Sequence, residues 1–259
     1  TITGTPDDVT SITLEDVKLV YDTFYHPENM FLTLTGNFNP YEMACLVEDN
    51  LSKKKFGKYL NPIIIKENEP KKVTTKYKEE YINVTYPRLK FSIKMDMSRF
   101  KNYSSLELKI LTSLLFNINF GATSDFKDEL MEKGLIQNMN VTCDVYDDTF
   151  VVTINVTSNF KEEIIKKVKE KLENLSISEL DFKRKKNATI ATLILDYEDL
   201  ENVSYRIQDD VLNNGGIVTN LKEILEDETI DDLKDIIDLL DTDNLSISVF
   251  LPKENQKEQ

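Results

Sequence analysis

The chain has 259 residues, of which 40% are hydrophobic and 30% are charged, a balance typical of a folded globular protein. Its net charge of −14 disfavours binding to nucleic acid or to anionic membrane surfaces, and no apolar run approaches the roughly 18 residues that a membrane-spanning helix needs. Two cysteines and one histidine exclude a disulfide framework, a four-thiolate zinc site and any catalytic triad that uses a second histidine.

The first predicted elements are a helix, a strand and a second helix. Thr13 is a predicted N-cap, and the helix it begins ends at His26, which precedes a proline. Residues 30–35 alternate as a strand. Asn39 caps a second helix with proline at its first position, and a polar connection over 53–72 follows.

The middle of the chain continues with two strands, near 73–84 and 88–97. A helix begins at a capping serine and covers about 104–116. A loop of small residues over 120–124 leads into a short helix that ends at Gly134, a position suited to a left-handed C-cap.

A hairpin is predicted next, because apolar and polar residues alternate on both sides of the turn Asp147-Asp148. We expect one face of its strands to be buried under helices. That face comprises Val141, Cys143, Val145, Val152 and Ile154. Further helices are predicted near 160–174, 177–199, 200–212, 217–226 and 229–240, and the last strand near 245–251.

Most of the negative charge lies in residues 196–243. Within them, Asp241-Thr242-Asp243 lacks the glycine and the following ligands of a calcium-binding loop. Apolar residues recur there every three or four positions, which indicates helices with one buried stripe and a solvated acidic face. The stripe comprises Ile230, Leu233, Ile236, Ile237 and Leu240.

The order of elements predicts an α+β fold, in which a mixed or antiparallel sheet has helices packed on one face. No linker rich in proline and glycine divides the chain, which favours a single domain. The lone His26 is typical of a capping or packing residue, and the sequence contains no zinc motif and no phosphate-binding glycine loop. By its chemistry alone the chain is expected to be catalytically silent.

An ordered series of motifs occupies the first 40 residues: GTPDDV at 4–9, ITLEDV at 12–17, YHPENM at 25–30 and TGNFNP at 35–40. The series resembles the junction and the second, inactive domain of pitrilysin/insulinase-type zinc metallopeptidases, a group that includes mitochondrial processing peptidase. The resemblance continues more weakly through 121–135 and the hairpin that follows.

This resemblance implies a two-half peptidase in which the first half carries the zinc motif H-x-x-E-H and the second half encloses the peptide. Accordingly we expect a junction at 1–12, an inactive peptidase domain at 13–251 and a polar tail at 252–259. Zinc is expected in the upstream half, and neither a cofactor nor a catalytic residue is expected in this segment. The expected partners are the upstream catalytic half or a paired homologous subunit, together with a peptide substrate.

The resemblance also indicates a candidate surface. Active members often present an arginine and a tyrosine after a small-residue loop, and here Met131 and Gln137 occupy those positions. The usual substrate-polarising pair is therefore absent. The loop and the helix after it are predicted to face the substrate or the other half, although packing in the core is an equal alternative. The loop comprises Phe120, Gly121, Ala122, Thr123 and Ser124.

Two functions from different classes follow. The first is a non-catalytic substrate-chamber domain of a zinc metalloendopeptidase. The alternative is a catalytically silent partner or structural subunit of a paired peptidase-like complex. A zinc motif upstream of this segment would distinguish the two. The expected location is the cytoplasm, because neither a leader nor a disulfide framework is visible.

Overall fold

A computed structural model of the protein describes residues 4–63, 65, 69–146 and 149–253. The chain divides into two compact units. The smaller unit comprises residues 1–67 and 197–217, and the larger unit comprises residues 68–196 and 218–259. The single domain over 1–259, with its junction at 1–12 and its tail at 252–259, stays a prediction.

Helices account for most of the regular structure, and side-chain caps begin several of them. Thr13 and Ser104 each form a reciprocal capping box with an acidic residue three positions on, and Asn39 and Ser124 cap as the sequence predicts. The helices are α1 (Pro6–Ser11), α2 (Leu14–Phe24), α3 (Pro40–Ser52), α4 (Ser105–Phe120), α5 (Asp125–Glu132), α6 (Lys161–Glu173), α7 (Glu179–Asp196), α8 (Leu200–Asn214), α9 (Leu221–Asp227) and α10 (Ile230–Leu239).

The larger unit is built on one mixed sheet. Its strands are β1 (Tyr77–Ile82), β2 (Arg88–Asp96), β3 (Asn138–Tyr146), β4 (Thr149–Thr157) and β5 (Leu245–Pro252). Their spatial order is β1-β5-β2-β4-β3, in which β1 and β5 are parallel and the other neighbours are antiparallel. The α+β prediction is therefore confirmed, and so is the predicted hairpin of β3 and β4. Its turn, Asp147-Asp148, lies outside the described residues.

The core of the larger unit lies on one face of this sheet. Phe91 of β2 stands beside Ile154 of β4 and Ile247 of β5 in the register, and all three side chains are buried. Helices α4, α6 and α10 add apolar side chains to the same core, among them Leu111, Leu115, Ile164, Val168, Leu233 and Ile236. The predicted hairpin face is confirmed, because Val152 and Ile154 are fully buried while Val141, Cys143 and Val145 are partly buried against the core.

The smaller unit contains α1, α2, α3 and α8, and it buries very little. No residue of α1, α2 or α3 is buried, and on α8 only Asp210 is. Its large apolar side chains are mostly exposed, which is the opposite of an ordinary hydrophobic core.

The clearest difference from the sequence prediction is the strand expected over 30–35. These residues do not form a strand. The alternating pattern specifies an extended conformation, but a strand also needs a neighbour to bond with, and none is present among the described residues. Two smaller differences are an unpredicted helix α1 and an α4 that runs to Phe120, where the next residue, Gly121, ends it. Gly134 is left-handed, as predicted, at φ 66°.

None of the helices in the described part of the chain is both long enough and apolar enough to span a bilayer.

Candidate functional site

His26 does not fit a zinc ligand, because backbone groups engage both of its ring nitrogens. Nδ1 accepts the Glu28 N–H at 3.2 Å, and Nε2 lies 3.2 Å from the carbonyl oxygen of Gly57. These contacts assign the proton to Nε2. The ring also stacks on Tyr59 at 5.1 Å, so the predicted capping and packing role is confirmed.

Other metal-ligating residues do not gather either. Over residues 4–63, 65, 69–146 and 149–253, no group of three or more histidine, cysteine, aspartate or glutamate side chains could hold a metal ion. Of the two cysteines, Cys45 is exposed on α3 and Cys143 is partly buried on β3. Burial raises the pKa of the Cys143 thiol to about 12, and the charge of Asp144 adds to the effect. A neutral thiol is a poor ligand and a poor nucleophile. The described residues therefore do not fit zinc.

The loop predicted to face a partner is split between buried and exposed residues. Phe120, Gly121 and Ser124 are buried, and the Ser124 hydroxyl donates to the Gly121 carbonyl at 2.9 Å while accepting the Lys127 N–H at 3.2 Å. These three residues fix the junction of α4 and α5. Ala122 and Thr123 are exposed and leave a small surface for contact.

Met131 and Gln137, at the positions where the resemblance places arginine and tyrosine, both have exposed side chains. Met131 lies near the end of α5, and Gln137 lies just before β3, where its N–H donates to the Thr157 carbonyl at 2.9 Å. The Met131 thioether has no hydrogen-bond donor, whereas the Gln137 amide is a neutral donor without the charge of a guanidinium. A partner-facing role for the exposed residues of this region stays a prediction.

A larger candidate surface is the face of the sheet opposite the core, which we call the polar sheet face. Successive side chains of a strand point to opposite faces, so the residues between the buried ones in β2, β4 and β5 share this second face. The register aligns Ser92 with Thr153 and Ser246, and the Ser92 and Thr153 hydroxyls are 3.1 Å apart. The name refers to its polar side chains, Arg88, Lys90, Ser92, Asn140, Thr142, Asp144, Thr153, Asn155, Ser246 and Ser248, while Val151 and Phe250 lie on the same face.

Sequence reasoning did not single out this face. Its polar members are half-buried or exposed. The sequence pattern that could have indicated this face is the run of serine, threonine and asparagine at alternate positions of β3 and β4, which the register aligns with serines of β2 and β5. Short neutral polar side chains of this kind can both donate and accept hydrogen bonds.

Charge on the polar sheet face is sparse. Arg88, Lys90 and Asp144 are exposed, and none forms an ion pair with another residue that the structure describes. At one end of β2, the buried Lys94 pairs with Glu69 and also donates to the Pro70 carbonyl. Among the described residues, this face therefore presents two cationic side chains and one anionic side chain, without ion pairs, among neutral hydrogen-bonding groups.

Comparison with known proteins identifies related chains. The family model described as the peptidase M16 inactive domain matches residues 11–189. A protein of Bacillus subtilis (strain 168), described as the uncharacterized zinc protease YmfH, is 32% identical over 138 residues, which is 52% of this chain. Among solved structures, one from Alicyclobacillus acidocaldarius described as an M16-like peptidase superposes with a TM-score of 0.83 at 22% identity. A peptidase M16 inactive domain from Pseudomonas fluorescens superposes with a TM-score of 0.74 at 16% identity.

These relatives are longer than the part that this chain matches. The match covers 32% of the Bacillus protein. Each of the two structures is covered over 61% of its length, while 98% of this chain is matched in both.

Proposed function

The chain belongs to the peptidase M16 inactive-domain family, and from this premise we propose that it forms the non-catalytic half of a zinc-dependent peptidase. The single observation that carries the proposal is the family match over residues 11–189, more than half of the chain. The 32% identity to a protein described as a zinc protease supports it.

In this proposal the two halves divide the chemistry between them. The catalytic half supplies the zinc ion, which activates the water that attacks the peptide bond. Among the described residues of the present chain no cluster of side chains could hold zinc, and we assign bond cleavage to the catalytic half. Its contribution is to bind and enclose the peptide, which raises the local concentration of substrate and holds it in place.

The polar sheet face is the surface that we assign to the substrate. Main-chain N–H and C=O groups of an extended peptide need hydrogen-bonding partners, and the neutral side chains of Asn140, Thr142 and Asn155 supply them without selecting one sequence. The exposed cations Arg88 and Lys90 favour peptides that carry acidic side chains or a free carboxylate.

Charge reversal on this face tests the assignment in the assembled peptidase. The Lys90→Glu variant should raise KM for an acidic, unstructured peptide about 3- to 10-fold with little change in kcat, because a surface charge contributes to binding and not to bond cleavage. Lys183→Glu, an exposed position on α7, is the matched control. Equal KM values for the two variants would refute the assignment.

The exposed residues of the candidate loop region belong to the same proposal. We assign Ala122, Thr123, Met131 and Gln137 to the surface that faces the substrate or the catalytic half, and their exposure is what supports it. Phe120, Gly121 and Ser124 are buried and act through the local fold.

One observation favours the alternative, a silent structural subunit of a paired complex. Met131 and Gln137 occupy the positions of the arginine and tyrosine that active members of the family present. Co-purification of the chain with its homologous partner, together with zinc analysis of the complex, separates the alternatives. About one zinc per complex supports the peptidase, whereas a stable complex without zinc supports the structural subunit.

A cytoplasmic location is the remaining part of the proposal. The two free cysteines, Cys45 and Cys143, are compatible with a reducing compartment. Fractionation of cells that express the protein at its natural level tests this location.

A further inference from the structure

A cavity of about 210 Å³ opens beside the sheet of the larger unit. Its floor is apolar and consists of Leu172 of α6 with Leu245 and Ile247 of β5. These are buried core residues, so the cavity lies on the opposite side of the sheet from the polar sheet face. Its volume is below the roughly 300–1,000 Å³ of pockets for drug-sized ligands, so it suits a smaller molecule. Its charged rim comprises Lys76, Lys169, Glu173 and Asp243.

Three parts of the chain bring the charged rim together. Helix α6 contributes Lys169 and Glu173, which lie one turn apart on the same side of the helix. Lys76 directly precedes β1, and its carbonyl accepts the Ile247 N–H at 3.0 Å, which holds it beside the start of β5. Asp243 lies in the turn that leads into β5. Two positive and two negative side chains therefore surround one concave, apolar surface.

The four charged side chains of the rim are exposed, and none of them forms an ion pair with another residue that the structure describes. The contrast is clearest on α6, where Lys166 pairs with Glu170 at 3.8 Å across one helical turn. Lys169 and Glu173 have the same spacing but form no such pair. Their charges, like those of the other two rim residues, are available to a ligand.

We propose that this cavity binds a small zwitterion with an apolar side chain, namely a free apolar amino acid. The ligand carboxylate faces Lys76 and Lys169. Its ammonium group faces Glu173 and Asp243, and its side chain covers the apolar floor. An anion alone would meet two carboxylates and a cation alone would meet two ammonium groups, so a ligand with a single charge is disfavoured. A neutral apolar molecule would take water from four charges without replacing it. The inference is independent of the proposed function, because no part of it requires the catalytic half.

Titration of the full chain with L-leucine, followed by the NMR shifts of backbone amides, tests the site. The shifts should saturate in the millimolar range, as expected of a ligand this small, and should concentrate at the end of α6 and the start of β5. Three analogues each lack one part of the ligand: glycine has no apolar side chain, isocaproate has no ammonium group and isoamylamine has no carboxylate. Each should bind about 5-fold more weakly or worse. Equal binding of any analogue, or shifts that do not saturate, would overturn the proposal.

Substitutions on α6 provide an independent test. Lys169→Gln and Glu173→Gln each remove one charge that faces the ligand, so affinity for L-leucine should fall about 3- to 5-fold in each variant. The loss in Lys169→Gln should not extend to isoamylamine, which has no carboxylate to lose a partner. Lys166→Gln is the matched control, since Lys166 is exposed on the same helix but does not line the cavity. Wild-type affinity in both cavity variants, or an equal loss in the control, would refute the proposal.

Discussion

Replacing Glu228 with glutamine should remove a pH-dependent loss of stability that is built into the larger unit. Glu228 lies between α9 and α10 and is 8% exposed. Burial, followed by the negative charges of Asp232 and Glu107, raises the pKa of its carboxyl to about 7. Lys186 opposes this effect, but its Nζ donates to the Glu228 carbonyl oxygen at 2.7 Å and not to the carboxylate.

The direction in which stability changes with pH follows from proton linkage. In the unfolded chain the carboxyl titrates near its ordinary pKa of 4.5, whereas the folded protein keeps the proton up to about pH 7. The folded state therefore binds more protons between these values, so stability is highest below pH 4.5 and falls as the pH rises to 7. The full difference in pKa corresponds to about 3 kcal/mol, and residual water access and salt screening reduce the expected loss to about 1–2 kcal/mol.

Urea unfolding of the wild type and of Glu228→Gln, at about pH 5 and about pH 8, measures this loss. Other titrating groups are common to both proteins, so the difference between the two free energies of unfolding isolates Glu228. The wild type should lose about 1–2 kcal/mol more than the variant between the two pH values. Glu223→Gln, an exposed position on α9, should behave as the wild type does. A difference between wild type and Glu228→Gln that does not change with pH would refute the reasoning.

Three further predictions concern the loop, the thiols and the metal. Gly121→Ala should destabilise the protein by about 2 kcal/mol or more in thermal unfolding, because a Cβ there would lie 2.4 Å from the Asn117 carbonyl oxygen, whereas Gly57→Ala meets no atom within 4 Å and should be nearly neutral. Thiol labelling of the native protein should modify Cys45 quickly and Cys143 slowly, and rapid labelling of Cys143 would contradict the buried sheet face. Metal analysis of the isolated chain should find no stoichiometric zinc, and one tightly held zinc per chain would contradict the division of labour between the halves.

Local patterns in the sequence predicted most of the larger unit. The alternation of β3 and β4 and the caps at Ser104 and Ser124 are local signals, because each depends on residues a few positions apart. The sheet order was not predictable in the same way. It brings Ser92, Thr153 and Ser246 side by side from three distant parts of the chain, and nothing local to any one of them indicates the other two.

The same distinction explains the parts that sequence reasoning missed. The polar sheet face consists of residue types that any solvent-facing strand uses, so only the register identifies it as a surface. The raised pKa of Glu228 depends on a packing arrangement of four helices, and no motif marks it. Residues 30–35 have the pattern of a strand, but pattern alone does not supply the neighbour that a strand requires.

The central claim, that this chain is the non-catalytic half of a zinc peptidase, is tested most directly by titrating it into its catalytic half and measuring cleavage of an unstructured peptide. The account predicts that the cleavage rate rises to a plateau at one equivalent of the chain and that a zinc chelator abolishes it. Cleavage by this chain alone, or a rate that does not depend on its addition, would contradict the account.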